Sequence, residues 1–264
     1  MELRGRTVLL TGATGGLGHA IARSLAGRGA VPILTGRRTE VLEPLAAETG
    51  GRAVACDLAD TAAVERLAAE AADADVLIAN AGLPGSGHIS TFTVEDIDRA
   101  LTVNLRAPMV LARLLSEPMA ARGNGHILFM SSLSGKVGSG GAAVYSATKF
   151  GLRGYAHALR EDLRPSGVGV SVVLPGFVRD AGMLHEADVQ LPRWVGLVRP
   201  EQVAAAVVRA IEQDRAELDV APLTLRAGAW LAGLAPELSA TLARRLGGRQ
   251  VAETIAEGQR GKRA

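Results

Sequence analysis

Thr7-Val8-Leu9-Leu10-Thr11-Gly12-Ala13-Thr14-Gly15-Gly16-Leu17-Gly18 decides the fold of this 264-residue chain. A short apolar strand runs straight into four glycines. His19-Ala20-Ile21-Ala22-Arg23-Ser24-Leu25 then carries helical spacing and stops at Gly27 and Gly29. Glycines at a strand-to-helix turn let the backbone bend sharply and approach a pyrophosphate, whose charge the helix N-terminus favours. By itself the turn is equally an ordinary tight connection. Its place after the first strand of an alternating chain makes it a dinucleotide signal.

The alternation continues along the chain. Residues 31–35 read as a second strand and 40–48 as a second helix. Residues 52–56, 76–79, 126–130 and 169–174 are short, apolar and bounded by turn residues, as buried parallel strands are. Helical stretches fall at 62–72, 94–122, 144–164 and 200–213, and 218–221 allows one last strand. Strand and helix in turn predict an α/β fold, a Rossmann-type doubly wound parallel sheet with right-handed crossovers. One domain is expected over 1–222. An apolar, helix-prone stretch at 225–247, interrupted by Pro236, makes 223–264 a helical appendage.

Composition narrows the function. Hydrophobic residues make up 48% of the chain but aromatics only 3%, and the net charge is +2. Aromatic scarcity argues against nucleic acid as a partner, since base stacking needs aromatic rings among the basic residues. The basic end, Gln259-Arg260-Gly261-Lys262-Arg263, reads as a solvated tail. Cys56 is the single cysteine, which excludes an internal disulfide and a cysteine metal cluster; it reads as a small buried hydrophobe. The five histidines show no metal spacing, and His88 and His185 read as solvated. No apolar run reaches the roughly 18 residues of a membrane span. Met1-Glu2-Leu3-Arg4-Gly5-Arg6 runs into the first strand without a leader, so a cytoplasmic protein with no integral membrane span is expected.

The Thr-Gly-x-x-x-Gly-x-Gly spacing at 11–18 resembles the short-chain dehydrogenase/reductase family, in its non-extended branch. Three further stretches carry the resemblance: Asp57-Leu58 after the third strand, Asn80-Ala81-Gly82 after the fourth, and Pro175-Gly176-Phe177-Val178 after the sixth. The resemblance implies a nicotinamide dinucleotide held by Gly12, Thr14, Gly16, Leu17 and Gly18. It places Asp57 and Leu58 near the adenine, Asn80, Ala81 and Gly82 along the cofactor, and Pro175, Gly176 and Val178 beside the nicotinamide. Asp57 is also readable as a helix cap or turn residue. The family's threonine two residues after the valine is absent, replaced by Arg179-Asp180, so the Val178 backbone is the firmer contact of that segment.

The end of the second strand discriminates between NAD and NADP. A carboxylate there binds the ribose hydroxyls and repels a 2′-phosphate. This chain has Leu34-Thr35-Gly36-Arg37-Arg38, with Gly36 where NAD users of the family place an acid. A guanidinium pairs with phosphate through charge-assisted hydrogen bonds, so Arg37, with Arg38 beside it, points to NADP(H).

Chemistry is concentrated in Ser132 and Tyr145-Ser146-Ala147-Thr148-Lys149. Tyrosine and lysine four apart share one helix face. An unperturbed phenol, near pKa about 10, is a poor base at neutral pH. A neighbouring ammonium, with the positive nicotinamide, is expected to favour the phenolate. Ser132, thirteen residues before Tyr145, is placed to hold a substrate oxygen; by resemblance Ser131 stands behind it. Asn104, expected at the opening of a helix, matches the family asparagine that supports a water linking lysine to solvent. Taken singly, each residue also reads as packing, a cap or a solvated side chain.

The expected reaction is hydride exchange between NADP(H) and a carbonyl/secondary-alcohol pair on a small apolar molecule. A 3-oxoacyl-thioester reductase is the nearest alternative substrate class, and a non-catalytic NADP-binding interaction protein the rival. Met183, Leu184, Val189, Leu191, Trp194 and Leu197 suggest that 182–199 covers the substrate. The resemblance also implies a homodimer or homotetramer through the helices at 105–121 and 144–164.

Overall fold

A computed structural model describes residues 1–179, 196–245, 254, 255 and 257 of the chain. Seven parallel strands are β1 (Thr7–Thr11), β2 (Val31–Gly36), β3 (Arg52–Ala55), β4 (Val76–Ala79), β5 (Gly125–Met130), β6 (Val168–Pro175) and β7 (Glu217–Val220). They form one sheet in the order β3-β2-β1-β4-β5-β6-β7. Direction along the sheet reverses between β1 and β4, which opens a crevice at their C-terminal ends, where such folds take ligands.

Successive side chains of the central strands go to opposite faces, so a continuous apolar run feeds two cores. Val8 and Leu10 pack on one side with Ile21 and Leu25 of α1 (Gly16–Ala26), Leu42 of α2 (Thr39–Thr49) and Val203, Val207 and Ile211 of α7 (Pro200–Glu212). Leu9 packs on the other with Leu67 of α3 (Thr61–Glu70), Leu111 and Leu115 of α5 (Ala107–Ala121) and Leu152 of α6 (Ala143–Leu163). Nearly all of these are fully buried. Each buried Leu, Ile or Val contributes roughly 1.5–3 kcal/mol of transfer free energy.

One expected helix is not continuous. The stretch 94–122 divides into α4 (Val94–Leu101), a π-helical turn (Thr102–Arg106) and α5. The Ala107 N–H reaches back to the Thr102 carbonyl, one residue further than an α-helical bond. That extra residue is the physical reason Asn104 turns inward rather than opening a helix. The appendage is a pair of helices, α8 (Leu223–Leu234) and α9 (Pro236–Arg245), with Pro236 opening the second. Of the expected substrate segment 182–199, only 196–199 lies within the described residues, and His185 and the 259–263 tail also lie outside them. Among the described residues, no helix is long and apolar enough to cross a membrane.

Candidate active site

The glycine turn follows β1 because its backbone is crowded on both sides. Gly12 has φ +66°, and a β-carbon on it would stand 2.7 Å from Ala81 Cα. One on Gly18 would stand 2.3 Å from the Gly12 carbonyl oxygen. No other residue fits either position without moving backbone. Buried Thr11 joins the turn to the next segment: its Oγ1 accepts the N–H groups of Asn80 and Ala81, each at 3.0 Å. Asn80 Nδ2 donates back to the carbonyls of Thr11 (3.0 Å) and Gly12 (3.2 Å). Asn80 therefore spends its amide on the turn, and it is the shape of the Asn80-Ala81-Gly82 segment that borders the crevice.

Asn104 extends this brace. It is fully buried, accepts the Leu83 N–H at 2.6 Å and donates to the Leu83 carbonyl at 2.9 Å. The expected helix-opening position is thus corrected, and the side-chain amide is committed to the chain that follows Gly82.

The turn can hold a dinucleotide pyrophosphate. Gly15 stands at the N-cap of α1 with no side-chain cap, and the first turn contains no acid. Its N–H groups thus meet an anion without competition from a carboxylate. Gly16 and Leu17 open this helix. At the end of β2, Arg38 Nη2 donates to the Thr14 carbonyl at 2.7 Å, laying its guanidinium against the turn, while Arg37 is exposed. A β-carbon on Gly36 would stand 2.9 Å from Thr14 Cγ2, so the position leaves little room for an acid. Asp57 closes a turn by accepting the Ala59 N–H at 3.0 Å. The cap of α3 is Asp60, not Asp57. Leu58 is buried. Burial pushes the Cys56 thiol up to about 11, which leaves it a packed hydrophobe.

Across the crevice, Ser132 follows β5 and Tyr145 and Lys149 stand one turn apart on α6. The Ser132 hydroxyl donates to the Pro175 carbonyl at 3.5 Å, accepts the Ser134 N–H at 3.1 Å and hydrogen-bonds the Tyr145 phenol. Lys149 is buried, its Nζ 5.5 Å from the Tyr145 ring centroid and donating to the Met130 carbonyl at 2.9 Å. Burial pushes Lys149 down to about 8. Burial also pushes the Tyr145 phenol up to about 12, against an opposing pull from the Ser132 hydrogen bond. For the lysine's part of the expected lowering, desolvation dominates, with Nζ tied to Met130. A phenol so raised stays protonated at neutral pH, the form a proton donor needs.

Several supporting residues escaped the sequence reading. Ser131 did not, being expected behind Ser132: its Oγ donates to the Lys149 carbonyl at 3.0 Å, seating the strand end on α6. A β-carbon on Gly85 would come 3.0 Å from the Tyr145 N, so glycine lets that loop cross the start of α6. Lys136, four residues after Ser132, pairs with Asp219 (2.6 Å) and Glu217 (2.6 Å) on β7. Glu217 also receives Arg153 at 2.6 Å and His157 at 2.8 Å from α6. These partners outweigh its desolvation and hold its carboxyl down at about 2. The signal was present on the helix: Tyr145, Lys149, Arg153 and His157 recur every four residues on one face.

Gly176 donates to the Val220 carbonyl at 2.9 Å just after Pro175. Beyond it, Val178 bridges to Val198 through the Phe177 carbonyl and the Arg179 N–H, its own backbone groups spared among the described residues.

Comparison with known proteins places this geometry in a lineage. A family model described as short chain dehydrogenase matches residues 6–192. The chain is 39% identical over 227 residues to the ketoacyl reductase HetN of Nostoc sp., covering 83% of this chain and 79% of that protein. It is 34% identical over 186 residues to the 3-oxoacyl-[acyl-carrier-protein] reductase FabG of Rickettsia conorii, covering 68% and 75%. Among solved structures, a short-chain dehydrogenase from Sphingobium yanoikuyae in complex with NADPH superposes with a TM-score of 0.78 at 27% identity, covering 89% of this chain and 95% of that one.

Proposed function

Because the chain belongs to the short-chain dehydrogenase/reductase family, we propose that it is an NADPH-dependent reductase of ketones, with 3-oxoacyl thioesters as its foremost substrate class. The observation that carries this reading is the meeting of Ser132, Tyr145 and Lys149 across the crevice from an uncapped glycine turn. The names of the ketoacyl-reducing relatives favour the thioester, and the NADPH-bound neighbour favours the phosphorylated cofactor.

The nicotinamide, when bound, supplies the hydride to the carbonyl carbon. Every other part belongs to this chain. The N–H groups opening α1, at Gly16, Leu17 and Gly18, hold the pyrophosphate, and Gly12 and Thr14 shape its bed. Arg37 and Arg38 take the 2′-phosphate, and Asp57 and Leu58 border the adenine. Asn80, Ala81 and Gly82 line the cofactor's middle, and Pro175, Gly176 and the Val178 backbone line its nicotinamide end. Ser132 holds the substrate oxygen and Tyr145 Oη gives it a proton. Lys149 binds ribose hydroxyls and, once drawn from the Met130 carbonyl, favours the phenolate left behind. Asn104 keeps the Leu83 segment in place behind them. A homodimer or homotetramer in the cytoplasm completes the reading, supported by the exposure of Leu114 on α5 and Phe150 on α6.

The test is NADPH oxidation by the full chain against a panel of simple ketones and 3-oxoacyl thioesters. Turnover highest on a 3-oxoacyl thioester is expected. Turnover on simple ketones alone would correct the substrate class. NADPH binding without turnover on any member would overturn the reading in favour of a non-catalytic NADP-binding protein.

A further inference from the structure

Among the described residues, four of the six most exposed large apolar side chains lie on the appendage. Leu223 is 77% exposed, Trp230 69%, Leu234 65% and Leu238 54%. On α8 they form one stripe with exposed Ala227, at spacings of four, three and four residues, the repeat of a single helix face. The rest of α8 is also apolar, with Ala229 buried and Leu225 and Leu231 partly so. Its twelve residues carry one charge, Arg226. A helix apolar on both its packed and its open face is built to be covered.

Charge identifies the cover. Residues 223–264 hold seven Lys and Arg against three Asp and Glu, whereas residues 1–222 hold 22 against 24. The whole positive excess of the protein lies in the segment that carries the apolar stripe. A second copy seated on the same face across a two-fold axis would bring two basic segments together. An anionic surface neutralises them. Tryptophan on an apolar face beside an arginine, Arg226, in a segment of net positive charge, is what a helix lying in a lipid headgroup layer presents.

We propose that α8 and α9 dock the protein on the surface of an anionic lipid bilayer. The hairpin is rooted at the rim of the candidate site: Pro222 packs on Gly196, where an added β-carbon would stand 2.5 Å from its Cγ, and Ala221 on Gly176, at 3.0 Å. Docking therefore turns the crevice mouth toward the lipid, a placement suited to a substrate with an acyl chain. The surface contact itself does not depend on the reductase reading.

The test is flotation of the full chain with phosphatidylcholine vesicles with and without phosphatidylglycerol. Co-flotation is expected with the mixed vesicles and at least ~10-fold less with phosphatidylcholine alone. A Leu223→Asp/Trp230→Ser/Leu234→Asp variant is expected to lose at least ~10-fold of the bound fraction while keeping its melting temperature without lipid. In a Trp194→Phe background, Trp230 emission is expected to shift to the blue on adding the mixed vesicles. Failure of the full chain to float with anionic lipid would overturn the proposal. So would equal flotation of the triple variant, or a change in that variant from oligomer to monomer on sedimentation, which would assign the face to a second copy.

Discussion

The two walls of the crevice are held by different kinds of bond. On the cofactor side, Thr11, Asn80 and Asn104 are neutral, and each spends its side chain on main-chain groups: the glycine turn, the Asn80–Ala81 amides and Leu83. On the catalytic side the supports are ionisable. Lys149 is buried under Tyr145, and Lys136, Arg153 and His157 converge on Glu217 and Asp219. A wall built from neutral groups on backbone keeps its shape at any pH that leaves the fold intact. A wall built from buried charge is bound to a pH window, and breaking one partner leaves another uncompensated.

Acid bears most strongly on the base of β5, the strand that leads to Ser132. His126 is buried, with Nε2 2.8 Å from Ser171 Oγ, and burial pushes its pKa down to about 4. Between the unfolded value near 6.5 and 4, the unfolded chain takes a proton that the folded chain refuses. Stability therefore falls as pH drops through that window and levels off below it. The loss is about 3 kcal/mol. Urea unfolding of wild type and His126→Gln at pH 7 and pH 4 is expected to show this difference only in the wild type. Glu217 acts in a lower window, its contribution being lost as pH falls from 4.5 through about 2.

Lys136→Met tests the catalytic wall at neutral pH. It strips Asp219 of its ion-pair partner beside a half-buried cluster, and a loss of about 2–3 kcal/mol is expected. Because Lys136 closes the turn that starts at Ser132, kcat is expected to fall with little change in NADPH affinity. Thr11→Val probes the opposite wall: two partly buried amides lose their acceptor, for about 2 kcal/mol. Here NADPH affinity is expected to fall with the stability, with no dependence on pH between 5 and 8. Equal pH dependence in the Lys136 and Thr11 variants would erase the contrast. The smallest effect expected is for Arg37→Ala: about tenfold weaker NADPH binding by titration, with NADH binding and stability unchanged.

The same contrast explains what the sequence disclosed. The sheet was legible because its strands are short apolar runs separated by helices, and the cofactor wall because its crowded backbone demands glycine at 12 and 18. Ser132, Tyr145 and Lys149 were legible from order and spacing. The ion-pair cluster was not, since Glu217 lies 64 residues from Arg153 and only the fold brings them together. The π-helical turn was equally hidden: Thr102-Val103-Asn104-Leu105-Arg106 carries ordinary helical residues, and the reason for the extra residue is Leu83, on another segment. The desolvation of Tyr145 was hidden for a related reason. Sequence shows the neighbouring lysine but not the burial of both groups or the Met130 carbonyl that holds Nζ.

The central claim, that the Tyr145 phenol delivers the proton in a hydride-transfer reaction, is tested most directly by Tyr145→Phe. The measurement is kcat for NADPH oxidation with the best substrate of the panel, alongside NADPH affinity by titration of the same protein. A fall in kcat of ~10³-fold with NADPH affinity kept within about threefold is the predicted result. A Tyr145→Phe protein that retains kcat within about tenfold of wild type while binding NADPH normally would contradict the account.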